Sequence, residues 1–214
     1  MNDKINIADL RRDYRQKELL ESNALPDPIA QFEQWFTEAL NAQIPEPNAM
    51  CLSTVTGNKP SSRIVLLKEI SNGGFVFFTN YNSDKGKAIA ANPNVALNFI
   101  WLELERQVRI EGRAEKIGEA ESIAYFNSRP FGSRLGAIAS HQSSIISDRS
   151  VLEKRLAALE MEYANKTPEK PEEWGGYIVY PEMLEFWQGR SNRLHDRLAY
   201  TLEDQRWHLR RLSP

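Results

Sequence analysis

Three β-like runs, AMCLSTVT, SRIVLLKEI and FVFFTN, follow one another between residues 49 and 80, divided only by the turn-forming stretches GNKP and SNGG. A parallel crossover needs roughly a dozen residues or more, so connections this short force consecutive antiparallel strands. NVALNFIWL and RQVRIEGRAEKI add two more runs. WGGYIVYP, EMLEFWQG, RLHDRLAYTL and QRWHLRRL close the chain as further strands, with EDQ as a hairpin turn. Helical periodicity appears between groups of strands rather than after each one. PDPIAQFEQWFTEALNAQ starts with Asp27 as N-cap and Pro28 at the first helical position, and places Ile29, Phe32, Trp35, Phe36 and Leu40 at helical spacing. SDKGKAIAANP has Ser83 as cap. EAESIAYFNSRP, GSRLGAIAS and DRSVLEKRLAALEMEYAN follow, the last with Asp148 as cap and a stripe of Leu152, Leu156 and Leu159.

Eight or nine strands with helices inserted between groups argue against a parallel βαβ sheet. The expected class is mainly β with peripheral helices, a closed or split antiparallel barrel. Residues 1–26 read as an N-terminal arm and 27–214 as a single domain. Trp35, Phe36, Trp101 and Phe186 fall in amphipathic or strand patterns and are expected in the core.

Twenty-seven Lys and Arg against 29 Asp and Glu leave a net charge of −2, which gives no general attraction to nucleic acid or anionic membrane. Any anion site must be local. Cys51, the single cysteine, cannot form an internal disulfide, and the N-terminus MNDKINIADLRRDY is too charged for a secretory segment, so a cytoplasmic location is expected. No apolar run nears the roughly 20 residues that span a bilayer. Three scattered histidines and one cysteine make no metal signature. Dinucleotide, P-loop and nucleophile-elbow motifs are missing too.

Local anion chemistry is visible in several places. EFWQGRSNRLHDR, residues 185–197, holds three arginines, a histidine, an aspartate and a tryptophan. Continued as a strand it would line up Arg193, His195 and Arg197 on one face and Leu194, Asp196 and Leu198 on the other. Arg63, Lys68 and Lys85 each stand near small hydroxyl residues or a helix start, and YFNSRPFGSRLG offers Tyr125, Arg129 and Ser133 at a helix junction. Such groupings bind phosphate through charge, hydrogen bonds and helix-terminal N–H groups. Arg63 and Lys68 are five apart, so strand parity sends them to opposite faces, for two ligands or two ends of one site.

SSRIVLLK, FFTN with SDKGK, ERQVRIEG, YFNSRPFGSRLGAIASHQSS, WGGY and EFWQGRSNRLHDR occur in this order, and together with the closing RLSP they resemble the pyridoxamine 5′-phosphate oxidase family from about residue 11 to Pro214. The resemblance implies an FMN-binding split barrel and a homodimer with active sites at the subunit interface. It also implies oxidation of pyridoxine or pyridoxamine 5′-phosphate to pyridoxal 5′-phosphate, with oxygen as acceptor and hydrogen peroxide as product. By similarity, Arg63 and Lys85 would hold the FMN phosphate. Lys68, which also borders the cofactor, would hold the substrate phosphate with Tyr125, Arg129 and Ser133. Ile64, Val65, Leu66, Leu67 and Phe78 would run along the cofactor, and Thr79, Gln107, Gln142, Ser143, Trp187 and Arg197 would surround the flavin. Arg193 and His195 would face the substrate ring as the catalytic pair, and Arg11 and Tyr14 of the arm would reach the substrate.

One position departs from the family pattern. Members commonly carry serine, arginine, lysine where this chain reads Ser83, Asp84, Lys85, so an acid replaces a guanidinium beside the cofactor phosphate. Asp84 is expected to turn outward. Two other functions compete with the oxidase: another flavin-dependent reductase on the same barrel, and a flavin or pyridoxal-phosphate carrier without turnover.

Overall fold

The computed structural model describes residues 13–214. Its elements run α1 (Pro28–Asn41), β1 (Ala49–Thr56), β2 (Lys59–Leu66), β3 (Glu69–Ser71), β4 (Gly74–Asn80), α2 (Asp84–Ala91), β5 (Asn94–Trp101) and β6 (Arg106–Lys116). Then follow α3 (Glu119–Ser128), α4 (Phe131–Ala139), α5 (Ser150–Glu162), β7 (Trp174–Gln188), β8 (Asp196–Glu203) and β9 (Arg206–Leu212). Hydrogen bonds order the strands β2-β1-β5-β6-β7-β4-β3, with β8 pairing β7 and β9. The β1–β2, β3–β4, β7–β8 and β8–β9 pairs are antiparallel, as their short connections require, and β4–β7, distant in sequence, is antiparallel as well.

Contacts divide the chain into two compact units. One comprises, of the described residues, 13–47 with Asn98–Ile110 and Met183–Pro214; the other comprises Asn48–Leu97 and Glu111–Glu182.

In the first unit α1 forms as the sequence dictates. Asp27 accepts the Ile29 N–H at 3.0 Å and Pro28 opens the helix, satisfying an N-terminal donor and presetting φ. Phe32 and Trp35 are buried; Phe32 meets Phe99 at 4.9 Å between ring centroids and Trp35 meets Phe186 edge-on at 5.2 Å. Each ring of this kind stabilises by about 3–5 kcal/mol relative to alanine. Trp101 and Phe186 are core residues as expected, whereas Phe36 is only half-buried and Leu40 is exposed at the outer edge of the stripe.

In the second unit β1 alternates inward with Met50, Leu52 and Thr54, and β4 is buried along both faces except at Phe78. The expected single strand SRIVLLKEI is two: β2 ends at Leu66, and Leu67 and Lys68 bend the chain before β3. Two expected strands are conversely one. β7 runs 15 residues, pairing with β4 over Trp174–Val179 and with β8 over Met183–Gln188. Beside the change of partner, Gly112 of β6 approaches the Tyr180 carbonyl so closely that a Cβ would collide with it. Ser83 caps α2, accepting from Gly86 N–H at 3.3 Å. At α5 the cap position falls to Arg149, and Asp148 accepts the Ser150 N–H at 2.8 Å from one residue further out. Leu152, Leu156 and Leu159 are half-buried, none of them core.

Candidate functional site

The second unit contains an open cavity of about 900 Å³ into which β2, β4, α2, α3 and α4 each present polar groups. Arg63, Lys68, Lys85 and Arg129 all line it. Strand parity does not separate Arg63 from Lys68, because the bend after Leu66 returns Lys68 to the same cavity. Among the described residues none of these four cations forms an ion pair. Instead Arg63 donates to the Leu52 carbonyl at 3.2 Å, Thr54 Oγ1 at 2.8 Å and Ser61 Oγ at 2.8 Å. Lys85 Nζ lies 3.0 Å from Gln142 Oε1 and 3.3 Å from Thr79 Oγ1. One Arg129 terminal nitrogen is buried without a hydrogen-bond partner. A desolvated guanidinium N–H without an acceptor is costly, and an anion in the cavity would supply one.

The cations also perturb one another. Burial first, and the neighbouring Arg63 second, lower the Lys85 pKa, with Asp84 opposing. Burial lowers Arg63 and Arg129 in the same sense, relieved at Arg63 by Cys51 and Asp84 and at Arg129 by Tyr125. Burial raises Tyr125, partly offset by Arg129. Tyr125 is thus a neutral hydroxyl donor at neutral pH, one helical turn before Arg129.

Two groupings can be distinguished. Thr79, Lys85, Gln142 and Ser143 are joined by hydrogen bonds, Ser143 Oγ receiving the Asp84 N–H at 3.2 Å. Tyr125, Arg129 and Ser133 follow one another along α3 and the start of α4. Phe78 stacks on Tyr125 at 3.8 Å and Arg129 stands over the Trp174 ring at 4.8 Å. Sequence reading passed over Trp174, whose role depends on a chain crossing that no local pattern shows. Asp84 is exposed and does not line the cavity. Of the apolar run, Ile64, Val65 and Leu66 line it, while Leu67 is buried in the core.

The remaining candidates among the described residues lie in the first unit. Asn192 and Arg193 sit in a tight turn with φ of 55° and 61°, and β8 starts only at Asp196. The expected continuous strand through Arg193 and His195 is therefore absent, and with it the alternating row. Left-handed φ at two successive non-glycine residues is strain of the kind functional sites retain. Arg193 is exposed and forms no ion pair among the described residues. His195 Nδ1 accepts the Arg190 N–H at 3.1 Å, so its proton resides on Nε2. Burial, then Arg193, lower its pKa against Asp196, which favours this neutral donor tautomer. Trp187 lies 4.6 Å from the His195 ring, and Tyr14 stands edge-on to both at 5.8 Å. Arg197 is already committed, donating to buried Glu185 at 2.7 Å and to the Ser213 carbonyl at 2.8 Å. Gln107 is half-buried on β6. Arg11 lies outside the described residues.

An antiparallel sheet carrying a cavity lined by cations, hydroxyls and amides has the donor set that suits small phosphorylated molecules. A family model described as pyridoxamine 5′-phosphate oxidase matches residues 36–163, and one described as pyridoxine 5′-phosphate oxidase C-terminal dimerisation region matches 174–214. The pyridoxine/pyridoxamine 5′-phosphate oxidase of Thermosynechococcus vestitus is 59% identical over 97% of this chain and 99% of its own. That of a Janthinobacterium species is 53% identical over 98% and 100%. Among solved structures, PhzG from Burkholderia lata in complex with tetrahydrophenazine-1-carboxylic acid aligns with TM-score 0.86 and 30% identity, over 92% of this chain and 98% of that one. An FMN-binding, oxidase-related protein from Nostoc punctiforme shares the fold at TM-score 0.70 and 16% identity, over 86% and 97%. The chain belongs to the pyridoxamine 5′-phosphate oxidase family, FMN-dependent oxidoreductases on a split barrel.

Proposed function

We propose that this chain, as a homodimer, oxidises pyridoxine 5′-phosphate and pyridoxamine 5′-phosphate to pyridoxal 5′-phosphate, with FMN as cofactor, oxygen as final acceptor and hydrogen peroxide as second product, the amine substrate also consuming water and releasing ammonia. The observation that carries the reading is the cavity in which Arg63, Lys68, Lys85 and Arg129 converge without a carboxylate, one Arg129 nitrogen being buried and unpartnered. Its donor set fits phosphate groups. Arg63 and Lys85, with Thr79, Gln142 and Ser143, hold the phosphate of FMN; Lys68, Tyr125, Arg129 and Ser133 hold that of the substrate. Bound FMN supplies the two-electron acceptor for the hydride leaving the substrate's 4′ carbon.

The protein's part is positioning and charge. Fixed phosphate contacts hold the substrate in one orientation, converting encounter into a near-unimolecular step. Neutral His195 donates a hydrogen bond from Nε2, and Arg193 offers a free guanidinium that stabilises negative charge as the reaction proceeds. The dimerisation region in the C-terminal match supports the two-chain assembly. Purified protein given FMN, pyridoxine 5′-phosphate and oxygen should form aldehyde and peroxide in equal amounts. FMN binding without either product would leave a carrier and contradict the proposal.

A further inference from the structure

Glu105 occupies a conformation that a glutamate rarely adopts. Its φ of 55° and ψ of 40° are left-handed, it is 4% exposed, and it ends the turn between β5 and β6. Such a conformation is disfavoured for a residue with a Cβ and persists where the surroundings fix it. The surroundings here are the chain before α1. Glu105 Oε2 accepts the Arg15 N–H at 2.9 Å and the Gln16 N–H at 3.1 Å, and Gln16 Nε2 donates to the Glu103 carbonyl at 2.6 Å. On its other side the Glu105 carbonyl accepts the Gly189 N–H at 2.7 Å and Gln188 Nε2 at 3.3 Å. One residue therefore ties the arm to the end of β7.

The tie has a consequence for Tyr14. Its ring rests on Gly189, where an added Cβ would lie 2.7 Å from the ring, and stands edge-on to Trp187 and His195. Removing the carboxylate would free two successive backbone N–H groups one and two residues after Tyr14. The later anchors, Lys17 with its ion pair to Glu38 at 2.7 Å and its carbonyl accepting from Arg190 at 3.3 Å, and the Leu19 N–H donating to Asp196 Oδ2 at 3.0 Å, lie three and five residues beyond Tyr14, whereas Glu105 holds the two residues that directly follow it.

We infer that Glu105 is a positioning residue: its buried carboxylate latches residues 15 and 16 so that Tyr14 is seated on Trp187 and His195. The functional half of this inference rests on the proposed placement of Trp187 and His195 at the active site. The latch itself rests only on the geometry.

Glu105→Gly is the informative variant, because glycine accepts the left-handed backbone while deleting the carboxylate. Glu105→Gln keeps an acceptor oxygen and serves as the rescue. In full-length protein, limited trypsin digestion followed by mass spectrometry should show cleavage after Arg15 accelerated about tenfold in the glycine variant and near wild type in the glutamine variant. KM for pyridoxine 5′-phosphate should rise about tenfold in the glycine variant, with kcat and FMN affinity within about twofold of wild type. Unchanged cleavage overturns the latch, and fast cleavage with unchanged KM overturns the positioning role. Wild-type protein without oxidase turnover would count against the proposed function alone, since the digestion comparison decides the latch without turnover.

Discussion

Replacing Lys85 by methionine separates what this residue does for folding from what it does for the ligand. The side chain keeps its length and helix propensity, so α2 is undisturbed. Lys85 is half-buried beside Arg63, and both burial and that neighbour hold its pKa below the ordinary lysine value. Wherever the side chain is charged in both states, the full penalty of keeping it charged is present. Between the two values the unfolded chain binds more protons, so the apoprotein gains stability as pH rises through that window. Methionine removes the penalty and the pH dependence together. Discounted for solvent screening, the gain is small and shows as a slight rise in apoprotein Tm. The loss on the ligand side is larger. One charge-assisted contact to phosphate is worth about 1.5–3 kcal/mol, so FMN should bind roughly tenfold to a hundredfold more weakly. Flavin fluorescence quenching on titration of apoprotein, with thermal melts of the apo form at pH 7.5 and above, reads both quantities. Wild-type FMN affinity would refute the assignment of Lys85 to the phosphate. A lower apoprotein Tm would refute the claim that the cavity holds this charge against burial.

Asp84→Arg should tighten FMN by about tenfold, because the acid favours Lys85 and Arg63 while opposing an incoming phosphate; titration at two ionic strengths checks this, and an unchanged or weaker Kd would show that the position does not address the phosphate. Arg193→Ala should lower turnover with pyridoxine 5′-phosphate at least about a hundredfold at saturating FMN while leaving FMN affinity within about twofold. Loss of FMN with normal turnover would reverse that division of labour. Phe32→Ala should cost about 3–5 kcal/mol in chemical denaturation, since the ring is fully buried against Phe99 and Trp101, and a cost below about 1 kcal/mol would mean the core is misplaced.

The local grammar of the chain was legible because its causes are local. Asp27 with Pro28, Ser83 before α2, and Asp204–Gln205 with positive φ in the β8–β9 turn each act within a few residues. The cations of the cavity were legible as residue types, since few other arrangements place Arg63, Lys68, Lys85 and Arg129 beside hydroxyls. What escaped depends on distant partners. β7 is one strand because β4 and β8 take its two halves, although Pro181 in the middle reads as a break. Arg197 is expected beside the flavin, and its ion pair with Glu185, twelve residues earlier on the paired strand, is a contact no local pattern shows. Glu105 draws no assignment from sequence, because its bonds to Arg15 and Gln16 span about ninety residues.

The central claim is that the cationic cavity recognises phosphate on the substrate as well as on the cofactor. It is tested most directly by the ratio of kcat/KM for pyridoxine 5′-phosphate to that for pyridoxine, measured with FMN saturating in wild type and in Arg129→Ala. The account predicts a ratio of at least about a hundredfold in wild type, falling by about tenfold or more in the variant as the phosphate loses its guanidinium. Equal efficiency on the two substrates, or a ratio untouched by Arg129→Ala, would contradict it.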